Sequence, residues 1–384
     1  MACMKIGRVY ANFQEDFWYA EHYLAKEMAK KGHTTVFITS DKYLSSWSKY
    51  LKTKEGAGIY ERPFYKVHRL KAWAPLEKVI YRNPVQLWRL LFNQQFDVLH
   101  LNAVGSFSTV LVLWMVWLKG KSAPPVVISD HTDTRTHSRE GRFANLYYHF
   151  FRLQLKFLQK KIARVVTFGE VGIQVLSPRL GLPVSLFNKI PLGFDQEQYT
   201  LRANARNQEE KMIIGYAGKI TPHKRVDFLI ESLASSTMND RIKLIIVGVN
   251  ENDPYCSSLK TKYQNIGLTI EWRPFANRDE LAAFYNYIDL AIYPGGISIT
   301  TIEANACGAP VLIFRSITGL ENRVENGRGK LFTTKEELLL ALDEYYQIYM
   351  TEGMPHCEIA KRTLEKSSWE YITNDYLNLY NNLK

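Results

Sequence analysis

The sequence has few cysteines and no long apolar segment. Its four cysteines, Cys3, Cys256, Cys307 and Cys357, form no Cys-x-x-Cys pair and no Cys/His zinc spacing. We therefore expect neither a disulfide framework nor a structural zinc, which favours a reducing compartment. The longest apolar run, 110–118, has nine residues, whereas a bilayer-spanning helix needs roughly 20. Because the first residues also lack a signal-peptide layout, the predicted location is cytoplasmic.

Acidic residues are scarce in the first half of the chain. Residues 1–190 contain 28 Lys and Arg against 13 Asp and Glu, a balance of +15. The whole chain has 49 against 38, so residues 191–384 hold 21 basic and 25 acidic residues by difference, a balance of −4. An excess confined to one half indicates an anionic partner there, such as a membrane surface, a lipid-linked phosphate or nucleic acid. A merely solubilising surface is the alternative.

Short β-branched runs alternate with helix-like stretches in both halves. The predicted strands are 5–11, 34–39, 65–70, 97–101, 126–129 and 164–168, then 212–217, 243–248, 269–272, 290–293 and 311–314. Such alternation is typical of βαβ units and parallel sheets. The fold class is therefore α/β, with two doubly wound, Rossmann-like domains.

A polar stretch without strands separates the two runs of the pattern. We place a first domain at 1–194, a linker at 195–211, a second domain at 212–366 and a C-terminal helix at 367–384. Packing of that last helix back on the first domain is one arrangement open to it.

Capping residues predict where two of the helices begin. Thr221 can cap a helix over 222–234, whose first residue, Pro222, suits the first turn. Ser367-x-x-Glu370 forms a capping box before the last helix.

Ligands of doubly wound sheets bind at the carboxyl ends of the strands, so residues that follow strands are the candidates. The segment 293–312 reads YPGGISITTIEANACGAPVL, a strand followed by a Gly-rich turn and a short helix. The predicted phosphate-binding residues of this turn are Gly296, Ile297, Ser298, Ile299, Thr300 and Thr301. Backbone N–H groups at a helix start can bind phosphate, and Glu303 can accept bonds from ribose hydroxyls. An ordinary βα turn is the alternative.

The second candidate segment, 216–225, reads YAGKITPHKR. Gly218 and Lys219 follow a strand, and Lys224 and Arg225 enter the next helix. Two cations at a strand end can hold a diphosphate and stabilise it as charge develops on leaving. A solvated basic turn is the alternative.

The third candidate is His131, which directly follows the predicted strand 126–129 and Asp130. It can bond the reacting sugar or the acceptor, or move a proton, unless it is a structural histidine. Asp130, Asp133 and His137 lie nearby, but their spacing matches no standard metal site, so we predict no metal.

These segments resemble the retaining GT-B glycosyltransferases of family 4. In that family a Gly-Arg turn is followed by a Lys five residues later, and Lys219 and Lys224 occupy these two positions. The family's motif, E-x7-E followed by A-x-A-C-G-x-P-V, matches from its second glutamate at Glu303, Ala304, Ala306, Cys307, Gly308, Pro310 and Val311. The segment 24–33, LAKEMAKKGH, is similar to the family's first helix.

Three departures from the family pattern concern the donor. Gly295 replaces the first glutamate of E-x7-E, which in the family contacts donor-sugar hydroxyls, so the identity of the sugar is open. A Gly-Gly loop is replaced by Gln14, Glu15 and Asp16, whose charge suits an acceptor better than a diphosphate. Lys219 in place of Arg keeps the charge and loses the bidentate fork.

The resemblance implies GT-B architecture, with two Rossmann-like domains facing each other across a cleft. It implies transfer of a sugar from a nucleoside diphosphate donor, a UDP- or GDP-sugar, with retained anomeric configuration and no metal or other cofactor. Lys219 and Lys224 would clamp the diphosphate, and His131 would position the reacting groups. The expected acceptor is lipid-linked or a saccharide, and no nucleic acid partner is expected.

Two other classes of function stay open. A GT-B-like sugar-nucleotide epimerase would need paired carboxylates and a phosphorylase a pyridoxal-binding lysine, and neither is evident. A non-enzymatic basic protein that binds membranes or nucleic acid lacks an aromatic-basic RNA motif.

The basic first half also predicts peripheral docking on the inner face of a membrane. The stretches 82–92 and 143–162 combine cations with large apolar residues at helical spacing, as interfacial helices do. The alternative is that both apolar faces are used up against the first sheet.

Overall fold

The computed structural model describes residues 3–15, 19–44, 54–75, 78–130, 142–202, 210–295, 299–315 and 320–383. It divides into two compact units. The first comprises Met1–Leu192 and Ile372–Lys384, and the second comprises Gly193–Tyr371. Residues 195–202, the described first part of the predicted linker, therefore belong to the second unit.

The first unit is built on a mostly parallel sheet. Its strands are β1 (Lys5–Tyr10), β2 (Thr34–Ser40), β3 (Gly58–Glu61), β4 (Lys66–Leu70), β7 (Val98–Asn102), β8 (Val126–Asp130), β9 (Ile162–Thr167) and β10 (Phe187–Lys189). A separate pair is formed by β5 (Ala72–Trp73) and β6 (Ile80–Tyr81). The order in the main sheet is β10-β9-β8-β7-β1-β2-β4-β3, and only β3 runs antiparallel to its neighbour among the described pairs.

Helices cover this sheet and supply the rest of its core. They are α1 (Ala20–Lys30), α2 (Pro84–Asn93), α3 (Phe107–Lys119), α4 (Arg142–Leu158) and α5 (Glu170–Leu180). The central strands are almost wholly buried, which fits a parallel sheet covered on both faces.

The second unit repeats the architecture with a fully parallel sheet. Its strands are β11 (Met212–Ala217), β12 (Ile242–Val249), β13 (Thr269–Pro274), β14 (Leu290–Tyr293), β15 (Val311–Phe314) and β16 (Gly329–Phe332), in the order β13-β12-β11-β14-β15-β16. Its helices are α6 (Val226–Ala234), α7 (Pro254–Tyr263), α8 (Arg278–Tyr287), α9 (Thr300–Ala306), α10 (Glu321–Val324), α11 (Lys335–Thr351) and α12 (His356–Ser367). Two Rossmann-like α/β units in one chain agree with the predicted fold class.

The prediction of a helix over 222–234 is wrong at its N-terminal end. A 3-10 turn, Pro222–Lys224, comes first, and Arg225 adopts a left-handed conformation (φ 52°) before α6 begins. The Thr221 side chain caps neither. The Arg225 guanidinium lies 4.4 Å from the ring centres of both Phe228 and Phe314, and these cation–π contacts help to hold the break.

The last helix, α13 (Trp369–Asn381), begins two residues inside the predicted segment 367–384. The Oγ of Ser368, rather than that of Ser367, accepts the N–H of Tyr371 at 3.1 Å, so the predicted capping box is displaced. From Ile372 onwards the helix belongs to the first unit.

Buried polar side chains fasten α13 to the first sheet. The Tyr380 hydroxyl accepts a bond from Arg8 Nη2 at 3.4 Å and also bonds His100 Nδ1. The other ring nitrogen of His100 lies 2.6 Å from Ser129 Oγ, which contacts the Tyr376 hydroxyl at 3.4 Å. Removing one member of such a network leaves its buried partners unsatisfied.

Tyr380→Phe should therefore destabilise the protein by about 1–3 kcal/mol, because Arg8 and His100 each lose a buried partner. The measurement is the midpoint of urea unfolding. Tyr371→Phe, at an exposed position of the same helix, is the matched control and should change the midpoint little. Equal midpoints for the two variants would contradict this role of the network.

Candidate functional site

The turns that follow β11 and β14 touch each other through their backbones. A Cβ added at Gly295 would lie 2.4 Å from the carbonyl oxygen of His223 and 2.7 Å from the Cα and carbonyl carbon of Lys224. The structure therefore brings the predicted basic turn against the start of the predicted phosphate turn. No side chain fits between these backbones, so this structure has no room for a glutamate at position 295, where the family has its first one.

A second close backbone approach fixes the turn after β11. A Cβ on Gly248 would meet the Gly218 carbonyl oxygen at 2.1 Å, and both glycines have positive φ values that other residues rarely adopt. The Tyr216 hydroxyl donates to the Lys219 carbonyl at 2.9 Å. This turn presents an exposed Lys219 and a half-buried Lys224.

Gly295→Ala should destabilise the second unit by about 1–3 kcal/mol, because the new methyl group overlaps the backbone at His223 and Lys224. Gly295→Glu should cost at least as much and should not create a better donor site. Thermal unfolding checks both. The control is Gly105→Ala, at a glycine that like Gly295 has no positive φ but has nothing within 4 Å of the added Cβ. A stable Gly295→Glu protein with normal or higher nucleotide affinity would contradict the close approach.

Glu303 is held inside the first turn of α9. Its side chain is only 9% exposed, and burial raises the pKa of its carboxyl to about 7. A hydrogen bond from Tyr199 and the charge of Arg278 oppose that rise, while Asp195 adds to it. A carboxylate that is costly to ionise and sits beside a strand end is typical of a functional site.

Residues of the predicted linker supply part of this environment. Asp195 forms an ion pair with Arg278, and the Gln198 amide donates to Asp279 at 2.8 Å. Together with Tyr199 they fix residues 195–199 against the first turn of α8. Sequence reasoning missed Tyr199 and Arg278, because neither lies in a recognisable motif.

Arg323 is a further candidate that sequence reasoning missed. Its Nη1 donates to Thr301 Oγ1 at 3.3 Å, beside the first turn of α9. Burial, and secondly the nearby Arg328, lower the pKa of Arg323 to about 10. No carboxylate within the described part of the chain forms an ion pair with it. The sequence offered one signal for Arg323. It follows strand β15 along the chain, and the other candidates had been found because they follow strands.

Several predicted residues lie outside the described part of the chain. They are His131, Asp133, His137, Gly296, Ile297 and Ser298. The structure does place Ile299, Thr300 and Thr301 at the start of α9, where the Tyr293 hydroxyl donates to the Thr300 carbonyl at 3.1 Å. Asp130 accepts the N–H of Val104 at 2.8 Å. Among the described residues no three His, Cys, Asp or Glu side chains are grouped to hold a metal ion.

The acidic loop after β1 is neutralised within the first unit. Glu15 accepts a bond from Arg62 Nε at 2.7 Å and lies 3.3 Å from Arg69 Nη2. Glu55 pairs with the same two arginines. Glu15 therefore has a structural role in holding this loop.

A cavity of about 620 Å³ lies on the second unit, beside the carboxyl ends of β12 and β13. It is lined largely by apolar groups, among them Val247, Pro274, Phe275, Ala276 and Phe284. This volume lies within the range of small-molecule sites.

Solved structures share the two-unit fold over nearly the whole chain. Anabaena HepE, solved in complex with UDP, matches with a TM-score of 0.70 and 14% identity, covering 99% of this chain and 100% of that one. Sucrose-phosphate synthase from Thermosynechococcus elongatus matches with a TM-score of 0.66 and 16% identity, covering 99% of each chain. At these identities the likeness shows the fold, which is GT-B.

Sequence comparison gives the family. Residues 22–198 match Glycosyltransferase Family 4, and residues 197–349 match Glycosyl transferases group 1. Residues 22–349 therefore consist of two adjoining glycosyltransferase family domains, as the resemblance predicted.

Curated relatives match over shorter regions. The lipopolysaccharide 1,2-N-acetylglucosaminetransferase of Salmonella typhimurium is 30% identical over 152 residues, which are 34% of this chain and 39% of the relative. A probable sucrose-phosphate synthase of Thermosipho melanesiensis is 28% identical over 190 residues, 44% of this chain and 41% of the relative. The matched regions span less than half the length of these two relatives.

Proposed function

We propose that this protein transfers a sugar from a nucleoside diphosphate donor to a lipid-linked or polysaccharide acceptor, with retention of configuration and without a metal. The observation that carries the proposal is the contact between the turns at Lys224 and Gly295. In this contact the backbone of Lys224 lies against the turn from which α9 and Glu303 follow, which supports one binding site shared by the two turns. A diphosphate needs cations, and a nucleoside needs an acceptor for its ribose hydroxyls.

The nucleoside half of the donor fits the second unit by itself. Glu303 would accept the ribose hydroxyls, and the apolar cavity at the ends of β12 and β13 has room for the base. HepE was solved with UDP and with UDP-glucose, which favours a uridine donor here, with guanosine as the alternative.

The diphosphate would take the role of leaving group. Lys219 and Lys224 would stabilise the negative charge that grows as the glycosidic bond breaks, and Arg323, beside Thr301, would add a third cation. The departing phosphate would accept the proton of the attacking hydroxyl. His131 would position the sugar and the acceptor.

Glu303→Gln should weaken UDP binding about 10- to 100-fold, because a charged hydrogen bond is lost. Ionisation strengthens that bond, so wild-type affinity should rise with pH around 7, whereas the variant should show no such rise. Calorimetric titration with UDP and GDP over pH 6–8, about one unit either side of the raised pKa, measures both effects.

The same variant should be more stable than the wild type at high pH. The pKa of Glu303 is raised from 4.5 to about 7, so the folded protein keeps a proton that the unfolded chain has lost. The contribution of Glu303 to the free energy of unfolding therefore decreases as pH rises from 4.5 to about 7. Glutamine does not titrate, so the variant should not show this decrease. Wild-type nucleotide affinity together with an unchanged Tm at high pH would contradict the assignment.

Lys219→Ala and Lys224→Ala should each lower kcat by about 100-fold and change KM less, because they meet charge that develops in the transition state. Release of nucleoside diphosphate from labelled sugar nucleotides is the assay. Lys361→Ala, at an exposed lysine of α12, is the control. EDTA should have no effect, and inhibition by EDTA that Mg²⁺ or Mn²⁺ reverses would refute a metal-free mechanism.

The same assay separates the other classes. An epimerase would convert the sugar nucleotide without releasing nucleoside diphosphate, a phosphorylase would require inorganic phosphate, and a non-enzymatic protein would do neither.

A further inference from the structure

Helices α3 and α4 of the first unit pack side by side and leave apolar residues on the surface. Trp114 Nε1 donates to Gln154 Oε1 at 2.9 Å, and the rings of Phe107 and Phe150 are 5.8 Å apart. Trp117 and Leu118, at the end of α3, are exposed. The pair therefore forms one continuous surface.

The described part of α4 has two distinct apolar faces. One consists of Phe151, Leu155 and Leu158, which are fully buried against the sheet. The other consists of four residues that are between 42% and 69% exposed: Leu146, Phe150, Leu153 and Phe157. Their spacing of four, three and four residues puts them in one line along the helix. The core thus leaves a whole apolar line of α4 uncovered within the unit, and we name it the outer stripe.

The other stretch predicted to dock is less suitable. In α2, Leu87 and Leu91 are buried, and Trp88 and Phe92 pack on each other with ring centres 4.6 Å apart. Lys119 also covers the Phe92 ring. These aromatic side chains are engaged inside the unit, so the inference rests on α4.

A row of cations borders the outer stripe. Arg152, Lys156 and Lys160 are exposed and follow one another at intervals of four residues, which places them along the flank of the stripe. Residues 141–169 contain six Lys and Arg and no Asp or Glu. Among the described residues none of these three cations forms an ion pair with a carboxylate.

A cavity of about 450 Å³ opens beside this row. It is lined by His149, Arg152, Leu153, Lys156, Gln159 and Gly181. Gly181, at φ +68°, lets the Arg152 side chain pass close by, since an added Cβ would lie 3.1 Å from Nε. Two cations and a histidine around a cavity of this size suit the phosphodiester of a lipid headgroup.

We propose that α3 and α4 dock on an anionic phospholipid bilayer, with the outer stripe in the acyl boundary and a lipid phosphate in the cavity lined by Arg152 and Lys156. An apolar line bordered by cations on one helix is the pattern of an interfacial helix. No described helix is long and apolar enough to span a bilayer. Docking itself does not require the proposed transfer reaction. Only its consequence, that the acceptor is lipid-linked, rests on the proposed function.

Co-sedimentation of the full chain with vesicles tests the proposal. Vesicles of equal parts phosphatidylcholine and phosphatidylglycerol should retain the protein at low salt and release it as salt rises. Pure phosphatidylcholine should retain much less. The double variant Arg152→Gln/Lys156→Gln should bind the anionic vesicles roughly 10- to 30-fold more weakly, from two lost surface cations.

Matched variants show whether a loss of vesicle binding is specific to the proposed docking surface. Leu153→Gln should lose binding several-fold, whereas Leu364→Gln on α12 should not, although both leucines are 47% exposed. Lys361→Gln/Lys366→Gln is the charge control. Equal retention by both lipids, no retention at low salt, or equal losses in test and control variants would overturn the proposal. Circular dichroism and UDP affinity should be unchanged in all variants. A failed transferase assay with intact lipid binding would reject the proposed function alone.

Discussion

The candidate donor site depends on two backbone-to-backbone approaches. Gly248 meets the carbonyl of Gly218, and Gly295 meets the backbone of His223 and Lys224. Since each approach excludes a side chain, the turn after β11 can close on β12 and on the turn after β14 at one edge of the sheet. The backbone that carries Lys219 and Lys224 and the helix that carries Glu303 thereby come to the same edge. Their backbones are held by the scaffold, which favours binding of a polar ligand.

The electrostatics of this edge are unfavourable without a ligand. The raised pKa of Glu303 and the lowered pKa of Arg323 both express the cost of charge away from water. Within the described part of the chain no carboxylate forms an ion pair with Arg323, and Tyr199 and Arg278 only partly oppose the rise in the pKa of Glu303. The proposed nucleoside diphosphate would bring hydroxyl donors to the carboxylate and phosphate oxygens to the cation.

The sequence predicts the sheets far better than their connections. Strands β11, β14 and β15 start and end where their continuous apolar runs do, because strands buried on both faces have an unmistakable composition. Strand β3 was not predicted, because it is short, pairs antiparallel at an edge of the sheet and has side chains that alternate in exposure. The left-handed Arg225 could not be foreseen either, because its conformation depends on two phenylalanines distant from each other in the chain.

The same limit applies to the candidate sites. Motif spacing located Lys219, Lys224 and Glu303, but Arg323 comes to Thr301 only through the packing of α10. Periodicity in α4 indicated an amphipathic helix without saying which apolar line the core uses. Only burial separates Phe151 and Leu155 from Phe150 and Phe157.

Hydrogen–deuterium exchange with and without UDP or GDP most directly tests whether the nucleotide binds at this edge of the second unit. Bound nucleotide should slow exchange in peptides covering 216–226 and 299–306, and leave peptides of α3 and α4 unchanged. Protection confined to the first unit, or no protection at saturating nucleotide, would contradict the account.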